Sequence, residues 1–88
     1  MSDTPKADSR FNDFVFLQAQ NAGLFLGQLP NPATGETSVN LKAAATVLDS
    51  LEMLAVKTQG NLTAEEASLL EKALLNIRAL YANVEDLG

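Results

Sequence analysis

Apolar residues recur along this chain at helical spacing in three separate stretches. The first runs from about Arg10 to Gln28, with Ser9 placed to cap it. Phe11, Phe14, Val15, Ala19, Ala22, Phe25, Leu26 and Leu29 fall within one arc of roughly 140° at ~100° per residue, the width of a core-facing stripe. Leu17 and Leu24 make a second stripe away from the first, and Phe16 lies apart from both. This helix is therefore apolar on more than one face. Gln18 falls inside the main arc and reads as a buried glutamine, bonded to backbone or to a partner.

The second stretch runs from about Leu41 to Thr58, with Asn40 as N-cap and Gly60 as the C′ residue that stops it. Ala43, Ala44, Val47, Leu48, Leu51, Leu54 and Ala55 share one face; Lys42, Thr46, Asp49, Ser50 and Lys57 occupy the other. The third opens on a capping box, Thr63-Ala64-Glu65-Glu66. There the Thr63 hydroxyl accepts from the Glu66 amide and the Glu66 carboxylate accepts from the Thr63 amide, with Leu62 at the staple position. Ala67, Leu70, Ala73, Leu74, Ile77, Leu80, Tyr81 and Val84 form its buried face, while Glu71, Lys72, Asn76 and Arg78 point outward.

Between the first two stretches, Pro30 to Val39 cannot continue a helix. Pro32 presets φ for a turn, Asn31 can bond forward as an Asx-turn, Thr34 follows, and Gly35 can take a positive φ. The short Gln59–Leu62 connection, which includes Asn61, predicts an antiparallel hairpin of helices 2 and 3. No strand pattern of useful length exists. The expected fold is all-α: helix 1 packed on that hairpin, one domain over residues 10–84, between a polar tail (1–9) and a frayed end (85–88).

Composition narrows the chemistry. The 88 residues are 47% apolar and 19% charged, enough for one small core and no second domain. There is no Cys, His or Trp. That argues against disulfide scaffolds, thiol nucleophiles, histidine acid–base chemistry and nearly every zinc site. Six basic against eleven acidic residues give a net charge of −5, which repels phosphate backbones and anionic lipid. The longest uncharged stretch, Phe14 to Gly35, is broken by Gln18, Gln20, Asn21, Gln28, Pro30, Asn31 and Pro32, short of the ~20 apolar residues of a membrane span. Met1 to Ser9 lacks the basic start and apolar run of a signal peptide, so the expected location is the cytoplasm.

Several motifs look like chemistry. Asp49-Ser50-Leu51 resembles the phosphopantetheine attachment site of acyl carrier proteins. There the serine begins a helix, whereas eight residues of helix pattern precede Asp49 here. Leu29-Pro30-Asn31-Pro32-Ala33-Thr34-Gly35 echoes a sortase signal without the apolar span and basic tail, and Asn61-Leu62-Thr63 fits a glycosylation pattern in which Thr63 already serves as a cap. Ala19, Gly23 and Gly27 recur every four residues, a spacing that lets another helix or a loop approach closely. No acid–base pair, activated nucleophile or phosphate-cradling loop emerges, so no catalytic residue, metal or cofactor is expected.

The chain resembles a small family of bacterial domains of unknown function over about residues 11 to 82. The resemblance rests on Phe11-x-x-Phe14-Val15; Gln20 and Leu26-Gly27; Asn31-Pro32-x-Thr34-Gly35; and Asn40-Leu41-Lys42, where the family usually has Asp-Leu. It continues through Asp49-x-Leu51 with Leu54, Lys57-Thr58-x-Gly60-Asn61-Leu62-Thr63-x-Glu65-Glu66, and Arg78 with Tyr81. It implies a cytoplasmic helical protein and supplies no catalytic residue.

The functional expectation is a self-associating interaction or scaffolding module. It forms a homodimeric helical bundle through Phe16, Leu17, Ala19, Gly23, Leu24 and Gly27, binds a further protein partner, and takes neither nucleic acid nor membrane. The alternative is a carrier or small apolar-ligand protein, using Ser50 or a pocket lined by the helix 1 aromatics. An enzyme is the third possibility and has no residue in its favour.

Overall fold

A computed structural model describes residues 6–87. Three helices follow one another: α1 (Ser9–Phe25), α2 (Leu41–Lys57) and α3 (Ala64–Leu87). No strand occurs among the described residues; a single β-bridge joins Leu26 to Val39. The expected tail and frayed end fall partly on residues 1–5 and 88, which lie outside the described residues. Of the remainder, Ser9 is already helical and α3 continues to Leu87.

Each helix begins where a side-chain oxygen can take an orphan amide. At α2, Asn40 Oδ1 accepts from Ala43 N–H at 3.0 Å. At α3 the capping box closes both ways, Thr63 Oγ1 accepting from Glu66 N–H at 3.1 Å and Glu66 Oε1 from Thr63 N–H at 3.0 Å. Thr63→Ala should therefore lower stability by about 1 kcal/mol in chemical denaturation. At α1 the cap is Asp8, not Ser9. The carboxylate of Asp8 takes Arg10 N–H at 3.0 Å and also holds the Arg10 guanidinium at 2.7 Å, which a hydroxyl could not do as well.

Helix ends are set by glycine and turn geometry. α1 stops at Phe25, earlier than periodicity alone predicts. Gly27 N–H reaches Leu24 C=O (3.2 Å) and Gln28 N–H reaches Gly23 C=O (2.8 Å), with Gly27 at φ +75°. That is a Schellman motif with Gly27 at C′. α2 ends at Lys57 with Thr58 as cap, so Gly60 lies one residue beyond C′. At φ +84° it serves the turn closed by Asn61 N–H on Thr58 C=O (2.8 Å), where a positive φ is required.

All three helices touch one another. The core joins Val15 and Ala22 of α1, Val47 and Leu51 of α2, and Leu70, Leu74 and Ile77 of α3. Phe11, Ala19, Phe25, Leu48, Leu54, Ala55 and Ala73 pack around it half-buried. Two members of the expected α1 stripe differ: Phe14 and Leu29 are exposed. Phe14 lies at the edge of its arc, and Leu29 lies beyond the end of the helix. Gln18 is half-buried rather than buried. Arg78 and Glu52 link α3 to α2 at 2.7 Å, with both side chains over two-fifths exposed.

Candidate functional site

Three of the large apolar side chains left on the surface lie on α1; Met53 and Val56 lie on α2, Leu75 on α3, and Leu29 and Val39 in the loop. Phe16 is 58% exposed, Leu17 53% and Phe14 46%. Arg10 and Asp13 are the only charges in the helix, and Arg10 is tied back to Asp8. The outer face of α1 is thus nearly uncharged, with aromatic and aliphatic groups meeting solvent.

Within the single chain, the loop after α1 approaches its small residues. Gly23 is buried beneath the chain's own Leu29, whose Cδ1 would stand 3.2 Å from an added Cβ. Gly27 faces Val39, whose Cγ2 would stand 3.1 Å away. Ala19 packs half-buried against the core. Leu24 is half-buried beside the loop, in a cleft of about 190 Å³ that also includes Phe25, Leu29 and Asn31. The close approach that this spacing allows is therefore made by the following loop. Gly27 carried a signal for this: a glycine at the end of a periodic stretch with Pro30 three residues later marks a helix stop.

The loop itself is a compact, self-bonded unit. Asn31 N–H donates to Glu36 C=O (2.8 Å), Asn31 Oδ1 accepts from Ala33 N–H (2.8 Å), and Gly35 N–H donates to Asn31 C=O (2.6 Å). Thr34 Oγ1 accepts from Glu36 N–H at 3.2 Å, Pro32 lies inside this turn, and Gly35 has φ +73°. Every residue from Asn31 to Asn40 is exposed.

Ser50 sits in mid-α2, where its hydroxyl donates to Thr46 C=O at 2.9 Å. It has neither the helix start nor the free loop of a swinging-arm site. No group of three or more His, Cys, Asp or Glu among the described residues could hold a metal ion. A groove of about 330 Å³ runs between α2 and α3, lined by Ala55, Thr58, Leu62, Leu70, Leu74, Leu75 and Arg78 among others.

The junction of the helix starts holds a buried carboxylate that the capping box only half explains. Glu66, 4% exposed, accepts from Asp8 N–H at 2.9 Å as well as from Thr63 N–H. The Asp8 amide, then the Thr63 amide, hold its carboxyl below the usual carboxylate range, against burial and the like charge of Asp8. The Asp8 carboxyl is itself lowered to about 2, chiefly by its hydrogen bond from the Arg10 side chain. Nothing in the local sequence pattern pointed from Glu66 to Asp8.

Three mutually packed helices, with a charge-poor outer face on α1, define a small all-α domain. No helix among those residues is long and apolar enough to cross a membrane. The chain belongs to the domain-of-unknown-function family DUF1844, whose model matches residues 8–83, in agreement with the resemblance seen in the sequence. No curated protein and no solved structure matches it.

Proposed function

We propose that this domain is a self-associating interaction module, a homodimer formed through the outer face of α1, with α2 and α3 as the hairpin that supports it. The observation that carries the reading is the exposure of Phe14, Phe16 and Leu17 on a helix almost without charge. Large apolar side chains held in water are unfavourable, and a two-fold contact between α1 and its copy covers them. Gly23, Leu24 and Gly27 are engaged by the loop, so the contact centres on Phe16 and Leu17. The domain then acts by binding a further protein rather than by catalysis, in the cytoplasm.

Light scattering should give a mass near twice 9.4 kDa at micromolar concentration. Phe16→Glu with Leu17→Glu should return the mass to 9.4 kDa with the helical signal unchanged. A well-folded wild-type monomer at high concentration would remove the reading.

A second reading is favoured by the α2–α3 groove, whose apolar lining and volume suit a small apolar ligand. It displaces the pocket expected at the α1 aromatics, of which Phe25 lines the smaller cleft near the loop. Native mass spectrometry of protein purified from its own host distinguishes the two readings. A bound apolar molecule supports the groove, and its absence supports the module.

A further inference from the structure

α1 is anchored unequally at its two ends. Toward its C-terminus Ala22 and Leu26 are buried, Phe25 C=O accepts from Asn40 N–H at 2.6 Å, and the Schellman bonds lock the exit. Toward its start Ser9, Arg10, Asn12, Asp13 and Phe14 are exposed, Phe11 is half-buried, and Val15 is the first buried side chain. Among the described residues, a hydrogen bond from Asp8 N–H to Glu66 Oε2 at 2.9 Å ties this leading segment to the bundle, across 58 positions of sequence.

We propose that Glu66 is a clasp: its carboxylate holds the leading turns of α1 on the bundle, and on release residues 8–14 open as a strap hinged near Val15 while α2 and α3 stay folded. One carboxylate serves two helix starts, with Oε1 on the Thr63 amide and Oε2 on the Asp8 amide. The two bonds are not equivalent. Thr63 lies three residues away at the same helix start and cannot drift off. Asp8 is held at a distance, next to side chains that already meet water. Local openings start where few buried contacts oppose them, which here is this segment. Opening carries Phe11 out beside Phe14 and enlarges the aromatic surface of α1. The strap belongs to each chain and opens with or without self-association.

Hydrogen exchange on the full chain tests it, at a dilution where light scattering gives a single mass. Glu66→Gln replaces one of the two acceptor oxygens by an NH2 donor, so the two amides, which sit on different oxygens, no longer both face an acceptor. The local cap keeps its bond and the Asp8 amide loses its own. Amides of residues 12–16 should then exchange at least tenfold faster than in wild type, while those of residues 45–54 and 70–80 change less than twofold. Thr63→Ala, which leaves both carboxylate bonds in place, should speed exchange at the start of α3 and leave residues 12–16 unchanged. Equal acceleration in all three helices, no acceleration in residues 12–16, or the same acceleration there from Thr63→Ala would each overturn the clasp. Should Glu66→Gln fail to fold, wild-type exchange in rising denaturant decides. A shallower denaturant dependence for residues 12–16 than for the α2 core supports a strap, and an identical dependence overturns it.

Discussion

Leu51→Ala is expected to cost about 2–5 kcal/mol in chemical denaturation, the range for truncating a fully buried leucine. Leu51 is 0% exposed on α2 and belongs to one cluster with Val15 and Ala22 of α1 and Leu70, Leu74 and Ile77 of α3. Truncation removes contacts to two neighbouring helices at once and leaves a hole that three short elements cannot easily close. A domain this small holds roughly 5 kcal/mol or somewhat more in total, so the variant sits at the edge of folding. Val56→Ala supplies the contrast on the same helix. Val56 is 70% exposed, and its truncation should stay within about 0.5 kcal/mol. A Leu51→Ala loss as small as that of Val56→Ala would mean that α2 does not dock through this face.

Glycine substitutions should rank by backbone strain and by space together. Gly27→Ala should be the most damaging, at about 1–3 kcal/mol. It places a side chain at φ +75°, and the new Cβ would meet Val39 Cγ2 at 3.1 Å and the Ser38 carbonyl oxygen at 3.5 Å. The contact it disturbs joins the exit of α1 to the entry of α2. Gly35→Ala and Gly60→Ala share the positive φ but meet nothing within 4 Å, so they carry strain alone. Gly23→Ala has no such strain. Its Cβ would meet the far end of the Leu29 side chain at 3.2 Å, which can turn aside, while the helix gains up to ~1 kcal/mol from losing a glycine. Thermal melts of the four variants should therefore place Gly27→Ala lowest and Gly23→Ala closest to wild type. A Gly23→Ala loss equal to that of Gly27→Ala would mean that the loop grips α1 far more rigidly than these contacts allow.

Much of this protein is determined by local pattern. Three amphipathic stretches, the Asn40 cap and the Thr63–Glu66 capping box appear in the structure as the sequence predicts, because a helix start and a buried stripe depend on residues within a few positions of one another. The all-α class and the family follow from the same information. Tertiary contact decided the rest. Periodicity put Phe11 near the middle of the apolar arc and Phe14 at its edge, but only the placement of the neighbouring helices determined that this edge stays uncovered. The spacing of Gly23 and Gly27 admits a helix or a loop, and only the tertiary structure shows that Leu29 and Val39 of the same chain approach them. The pairing of Asp8 with Glu66 joins residues 58 apart. No local spacing encodes it, since it arises only once α1 and α3 have brought their starts together and a buried carboxylate still has an oxygen to satisfy.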